Sequence, residues 1–332
     1  MSSENNKPIF IATRGSALAL AQANAVLSQC RSAFPKLDIE LKIIKTTGDK
    51  LQKASLAKEG ESLPKGLFTK ELEVALLNGD ADIAVHSLKD LPTELPTGLI
   101  LGAVSKRADV RDVLVYRDAE YLRSQPGKSN RRGFTPKLAI KDFPPGATVA
   151  TSSTRRKAQL LAQRGDLNVV EIRGNVATRL EKLANQPELD ATVLAAAGLE
   201  RLNFKITAEG KLAGEGIPEG LLATILDFDV MLPCVGQAAL GMEIRENDAR
   251  IQEICDRLNH PETHACVLAE RSFLSGMGGG CQSPVAAYAE IAGDQLQMRA
   301  ASFRETSARR AVGGKSINEA VALGQELAAK LK

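Results

Sequence analysis

Three consecutive glycines, Gly278-Gly279-Gly280, lead into Cys281, and Gln282-Ser283-Pro284 follow it. Glycines strip side chains from the approach and allow positive φ. A thiol on such a loop tip can carry a covalent group, because an accessible thiolate is a good nucleophile. The same residues also fit a plain turn holding a small buried cysteine. A second stretch, Ser87-Leu88-Lys89-Asp90, places a hydroxyl, a cation and a carboxylate within four residues, directly after an apolar run. Asp90 beside Lys89 is the best candidate for general acid–base work. An aspartate capping a solvated turn is the alternative, and His86 reads as a strand residue rather than a base.

Arginines supply the third signal. Thr151-Ser152-Ser153-Thr154-Arg155-Arg156-Lys157 gathers four hydroxyls and three cations where a helix should start. Arg173-Gly174-Asn175-Val176-Ala177-Thr178-Arg179 repeats the theme. Between residues 151 and 201 there are six arginines: Arg155, Arg156, Arg164, Arg173, Arg179 and Arg201. Most of them fall just after strand-like runs, whereas a merely solvated basic face would scatter them along helices. Helix N-termini with guanidinium groups beside them bind anions. Thr13-Arg14-Gly15-Ser16 is a smaller version of the same device, although Ser16 as a simple N-cap fits equally well.

The elements that must position these groups alternate between strand and helix. Ile9 to Ala12, Leu37 to Ile43, Asp82 to His86, Leu99 to Val104, Thr148 to Ala150, Asn168 to Ile172 and Asp190 to Ala195 read as strands. Helices are expected from Ala17 to Ala33, from Thr69 (as cap) to Leu77, from Gly236 with breaks to Leu258, from Thr263 to Ser275, and from Ile317 to Lys330. The pattern is α/β, with functional loops at strand ends. Residues 50–64 read as a mobile loop. The polar stretch 117–147 reads as a long surface insertion, its Arg131-Arg132 solvated. Residues 263–332 read as a small α+β unit.

Bulk composition narrows the options. The chain has 332 residues and 44% hydrophobic content, enough for two or three domains. Net charge is +3, aromatics are 4% and tryptophan is absent, which argues against a nucleic-acid partner. No apolar run reaches membrane length and no signal peptide is visible. The five cysteines, Cys30, Cys234, Cys255, Cys266 and Cys281, form no metal pattern and suit a reducing, cytoplasmic setting.

Six stretches in this order resemble the porphobilinogen deaminase (hydroxymethylbilane synthase) family. They are Ala12-Thr13-Arg14-Gly15-Ser16, Lys65 to Glu73, His86 to Pro92, Thr151 to Arg156, Arg173 to Leu180, and Gly279-Gly280-Cys281-Gln282. The resemblance spans nearly the whole chain. It implies two α/β lobes of the type II periplasmic-binding-protein kind plus a small C-terminal α+β domain. Domain 1 would be 8–106 with 233–257, domain 2 would be 107–232, and domain 3 would be 258–332. It implies a transferase in tetrapyrrole biosynthesis that condenses four porphobilinogen molecules head to tail, with loss of ammonia, and releases hydroxymethylbilane. It further implies a dipyrromethane cofactor joined to Cys281 by a thioether, no metal, and a monomer. Asp90 and Lys89 would be catalytic. Lys89, Asp90, Ser153, Arg155, Arg156, Arg173, Gly174 and Gln237 would bind the cofactor. Arg14, Ser16, Arg173, Arg179, Arg201, Lys65 and Phe68 would meet substrate. The chain is longer than the family pattern near 57–64 and across 117–147.

The chemistry of the residues suits that task. Each pyrrole brings two carboxylates, so a growing chain is a polyanion that calls for many arginines. The competing expectation is a hinged binding protein for a small anion, without chemistry. Such a protein has no need of a glycine-exposed cysteine or a Lys-Asp pair.

Overall fold

The apolar run at the start of the chain becomes β1 (Ile9–Arg14), buried in the middle of a five-stranded sheet. The structure is a computed structural model that describes residues 7–48, 68–127, 130–280, 283–305 and 307–332. After β1 come α1 (Ala17–Ala33), β2 (Ile39–Ile44), α2 (Lys70–Leu77), β3 (Ile83–Ser87) and β4 (Leu99–Val104). The chain then crosses to a second sheet. There it forms β5 (Asp112–Arg117), α3 (Ala119–Ser124), β6 (Thr148–Ala150), α4 (Thr154–Gln163), β7 (Asn168–Val170), α5 (Val176–Asn185), β8 (Ala191–Ala195) and α6 (Ala196–Arg201). A short hairpin, β9 (Lys205–Ile206) with β10 (Leu212–Ala213), precedes β11 (Leu221–Ile225). The chain crosses back into β12 (Leu240–Arg245), α7 (Ala249–Leu258) and α8 (Pro261–Gly276). It ends with a meander of β13 (Val285–Ala292), β14 (Gln295–Ser302) and β15 (Arg309–Ser316), covered by α9 (Ala320–Leu331).

The first sheet has the order β2-β1-β3-β12-β4 and the second the order β7-β6-β8-β5-β11. Within each, the first three strands are parallel. The fourth, β12 or β5, is antiparallel to both neighbours and arrives by a crossing. Both sheets thus share the strand order of type II periplasmic-binding-protein lobes, and each receives its antiparallel strand from a crossing segment. The antiparallel strands are buried throughout except for Arg245 at the end of β12.

Apolar burial explains the helices. Ala23, Val26, Leu27 and Cys30 on α1 pack against Ile9, Ile11 and Ile39 of the sheet. Each fully buried aliphatic side chain of this kind contributes about 1.5–3 kcal/mol. In the C-terminal unit Leu323, Leu327 and Leu331 of α9 pack with Phe273 of α8 and Met298 of β14.

Four expectations are corrected. No helix starts at Gly236, since Leu240–Arg245 is strand β12, hydrogen-bonded on both sides. Sheet pairing overrides the helix preference of its Leu, Met and Glu residues. The stretch 117–147 is no surface insertion, because Leu138, Ile140 and Phe143 are buried with Leu114, Tyr116 and Val149. Of its arginines, Arg131 is half-buried and donates to the Ala184 carbonyl at 2.6 Å, while Arg132 is exposed, as expected, and also reaches Asp190 at 3.0 Å. Thr69 precedes α2 without capping it through its side chain, for its φ/ψ of −111°/−30° is already helical. Strand β15 was not expected at all. The loop expected at 50–64 lies outside the described residues.

Candidate functional site

Strand β3 delivers the Lys-Asp pair. It ends at Ser87, and Leu88–Asp90 follow as one 3-10 turn. Leu88 is buried and its amide donates to the Ala239 carbonyl at 3.0 Å. The Leu91 amide closes the turn on the Leu88 carbonyl at 3.2 Å. Between these two anchors Lys89 is half-buried and Asp90 is exposed. His86 points away from this turn into the core. Its Nε2 lies 2.9 Å from Oε2 of buried Glu243, so the strand reading of His86 holds.

The returning crossing lies against the same turn. Gly236 has φ +70°, and a Cβ there would sit 3.2 Å from the Leu88 carbonyl carbon and the Lys89 nitrogen. Only glycine combines that backbone with that approach. Gln237 follows and is 1% exposed. Its Nε2 donates to the Val110 carbonyl at 2.6 Å and to Asp112 Oδ1 at 3.0 Å. Asp112 opens β5 on the outgoing crossing, so Gln237 ties the two crossings together.

Asp112 also holds the arginine pair. Arg155 reaches its Oδ2 and Arg156 its Oδ1, both at 2.8 Å, and all three side chains are buried. Burial pushes the Asp112 carboxyl up, but the two guanidinium groups outweigh it and hold the group well below the usual carboxylate range. Arg155 further donates to the Leu232 carbonyl at 2.6 Å and Arg156 to the Val193 carbonyl at 2.9 Å. Ser153 caps α4, its hydroxyl accepting from the Arg156 amide at 3.4 Å. The Nε atoms of Arg155 and Arg156 are buried and have no hydrogen-bond partner among the described residues. Each is a donor left over for a ligand.

At α5 the geometry is more open. Gly174 takes φ +119°, and a Cβ there would fall 2.8 Å from Thr178. Arg173 is exposed and only loosely paired with Glu171, at 3.3 Å. Arg179 Nε donates to the Gly174 carbonyl at 2.8 Å, which orients the guanidinium at the helix start. Burial, and then the neighbouring charge of Arg156, push the Arg179 pKa down to about 10, while Asp90 opposes that fall. The charge of Asp90, on the first lobe, thus reaches Arg179 on the second. Arg201, depressed by burial, donates to the Ala238 carbonyl at 2.6 Å beside Gln237. Arg14 lies over the Phe68 ring at 4.1 Å, and Ser16 caps α1 by accepting from the Ala19 amide at 3.3 Å. Lys65 lies outside the described residues.

So do Cys281 and Gln282, but their flanks are in view. The Ser283 amide donates to the Gly280 carbonyl at 2.9 Å, which holds the two flanks of the pair together. A Cβ on Gly279 would fall 2.3 Å from Ser283 Oγ. Helix α8 leads into this loop. Among the other cysteines, burial raises Cys30 to about 11 and Cys255 and Cys266 to about 12, which leaves them inert thiols. Cys234 donates to Gln237 Oε1 at 3.2 Å. The residues present fit a covalently held polycarboxylate. They offer leftover buried Nε donors, an exposed Arg173 before α5 and a side-chain-free approach to residue 281.

Sequence reasoning missed three residues. Asp112 is the first; its signal was a carboxylate at the head of the wholly apolar run Val113-Leu114-Val115. Glu270 is fully buried on α8 and binds Arg107 through both oxygens, at 2.7 and 3.0 Å. It also accepts from the amides of Gly236 and Ala289, both at 2.8 Å. Thus Glu270 and Arg107 join both crossings to the C-terminal unit. Arg271 beside it is the third.

Fold and site together define a two-lobe α/β protein whose second lobe gathers arginines at helix starts, with Asp90 exposed just after β3 in the first. Comparison with known proteins narrows this. The profile described as porphobilinogen deaminase, dipyromethane cofactor binding domain, matches residues 9–253, and that of the porphobilinogen deaminase C-terminal domain matches residues 264–332. Porphobilinogen deaminase of Desulforamulus reducens is 41% identical over 325 residues, covering 97% of this chain and 94% of that one. That of Moorella thermoacetica is 43% identical, with 97% and 92% covered. The chain belongs to the porphobilinogen deaminase family. Among solved structures, the sulfate-bound regulatory domain of OxyR2 from Vibrio vulnificus superposes with a TM-score of 0.39 at 14% identity, covering 78% of this chain and 99% of that one. A likeness at that level says nothing of function. Among the described residues no helix is long and apolar enough to cross a membrane.

Proposed function

We propose that this chain condenses porphobilinogen molecules head to tail, with loss of ammonia, and releases hydroxymethylbilane by hydrolysis. Asp90 is the acid–base group. Its carboxylate hydrogen-bonds the pyrrole N–H of the incoming molecule and carries a proton to the departing amine. The C–N bond breaks with its electron pair leaving on nitrogen as ammonia. Positive charge then spreads over the ring, and the nearby carboxylate stabilises it. When the new carbon–carbon bond has formed, Asp90 takes the proton that the attacking pyrrole loses. Lys89 pairs with ring carboxylates beside it. When bound through Cys281, the dipyrromethane group supplies the nucleophilic pyrrole on which the chain starts.

Arginines hold the growing polyanion. Arg155 and Arg156 offer their remaining N–H groups to the carboxylates of the bound cofactor, with Ser153, Arg173, Gly174 and Gln237 around them. Arg14, Ser16, Arg173, Arg179 and Arg201 receive the incoming molecule, and Lys65 and Phe68 border the site. We assign domain 1 to 8–106 and 233–257, domain 2 to 107–232 and domain 3 to 258–332. We place the enzyme in the cytoplasm as a monomer, with no nucleic-acid or membrane partner.

The observation that supports this reading best is the match of residues 9–253 to the cofactor-binding domain of the family, within which the Asp90 charge reaches Arg179. An acid–base carboxylate so placed faces the cations that hold its substrate. The test is the intact mass of the purified protein beside that of Cys281→Ser, before and after porphobilinogen is added. An excess of two linked pyrrole units, growing stepwise with substrate and absent from the variant, is expected. A bare mass in both proteins, unchanged by porphobilinogen, would overturn the proposal in favour of an anion-binding protein.

A further inference from the structure

We propose that Arg271 is a positioning residue for Asp90, fixing the Lys89-Asp90 turn in the same frame as the helix that leads to Cys281. The inference rests on the reading of Asp90 as the acid–base group and goes beyond it.

The geometry is specific. Arg271 sits near the C-terminal end of α8 and is 9% exposed. Its Nη1 donates to the Leu91 carbonyl at 3.1 Å. Its Nη2 donates to the carbonyls of Pro92 at 2.6 Å and Thr93 at 3.3 Å. These are the three residues directly after Asp90. Three converging carbonyls call for a planar fork of donors, which a guanidinium provides and an ammonium does not. One helical turn earlier, Val267 is buried with Leu88, Leu91, Val104 and Ala239. Residues four apart lie on one helix face. A single face of α8 therefore packs on one side of the turn and hydrogen-bonds the other. Gly236 backs the same turn from the returning crossing.

The backbone around Asp90 is held at Leu88 and at Leu91–Thr93, and both holds lead to α8. The glycine loop with Cys281 begins where α8 ends. Any displacement of α8 relative to the first lobe moves the turn that carries Asp90 and the C-terminal end of α8 together. A purely structural arginine would stabilise the fold but leave the turnover of folded molecules untouched. A positioning arginine changes kcat at constant fold, because a misplacement of about 1 Å can reduce rate by about 10²-fold.

The experiment compares wild type, Arg271→Lys, Arg271→Gln and Asp90→Asn. Each is followed by thermal unfolding, by steady-state kcat and KM with porphobilinogen, and by the rate of stepwise mass gain after porphobilinogen is added. Hydrogen exchange is read at residues 88–93. For Arg271→Gln, kcat and mass-gain rate fall about 10²-fold while KM stays near wild type. Arg271→Lys recovers part of the rate, and faster exchange is confined to 88–93. Wild-type kcat in Arg271→Gln overturns the inference. So does a rate loss that only tracks a loss of folded protein. If Arg271→Gln does not fold, Arg271→Lys decides: reduced kcat at unchanged melting temperature supports the inference, and wild-type kcat overturns it. Near-normal turnover in Asp90→Asn defeats the acid–base reading itself. An inactive Asp90→Asn beside a fully active Arg271→Gln defeats only the positioning role.

Discussion

Two pairs of arginines in the second lobe look alike in sequence and serve differently in the fold. Arg155 and Arg156 start one helix, and Arg173 and Arg179 flank the start of the next. The first pair is buried and most of its donors are taken, by Asp112 and by backbone carbonyls. Among the described residues, the second pair has no ion pair tighter than the 3.3 Å contact of Arg173 with Glu171. The difference comes from one carboxylate. Asp112 lies at the head of a strand that the outgoing crossing feeds between β8 and β11, and it neutralises only the arginines that reach it. A basic loop in a sequence thus reports cations near a site. It does not report how many of them remain for a ligand.

The largest expected effect removes the carboxylate. Asp112→Ala leaves two buried guanidinium groups uncompensated, at a cost of about 3–5 kcal/mol. Urea unfolding should show that loss in the whole molecule. A loss below about 1 kcal/mol would mean that the pair is held by its carbonyl acceptors instead.

Arg179→Gln should behave in the opposite way. The melting temperature stays near wild type while kcat/KM for porphobilinogen falls by about 10²-fold, in line with losing a charged donor at a reacting centre. An unfolded variant would break the contrast between the pairs. Arg173→Gln should be milder, with KM up about tenfold, the size of one hydrogen bond to a charged group. Because Arg173 is exposed, added salt should shrink that difference.

The first lobe offers the complementary case. Glu73 is buried near Glu243, and no arginine neutralises it among the described residues. Burial and then the Glu243 charge raise its pKa, against the Thr69 hydroxyl and His86, which lower it. The folded chain holds this proton to higher pH than the unfolded chain does. Its stabilising effect is therefore complete below the unfolded value of about 4.3 and declines as pH rises through the folded value. Glu73→Gln should show a melting-temperature advantage over wild type that grows from acidic to neutral pH. An advantage independent of pH would remove Glu73 as its source.

Much of this was legible in the chain. The α/β pattern, the strand-end loops and the Lys-Asp turn follow from local periodicity and residue type. What was hidden depends on distant partners. Leu240–Arg245 is a strand only because β3 and β4 flank it, and no local preference announces that. Strand β15 contains Gly313 and Gly314 and lacks apolar alternation, and its Gly313 fits closely against Leu323 and Leu327. The stretch 117–147 looks polar in sequence because its buried residues, Leu138, Ile140 and Phe143, are spaced among glycines and prolines. Asp112, Glu270 and Arg271 act over separations that spacing arguments do not reach.

The exchange of strands between the lobes also sets what can be cut from this molecule. Each sheet is completed by a segment that arrives from the other lobe, β12 in one and β5 in the other. A fragment ending at residue 104 lacks the strand that separates β3 from β4. A fragment starting after β5 lacks the strand that joins β8 to β11. Neither lobe is a removable module, and a nick in either crossing should not release a folded half. Duplication or swapping of one lobe by simple recombination is closed to this architecture, so its two halves can change only in each other's presence.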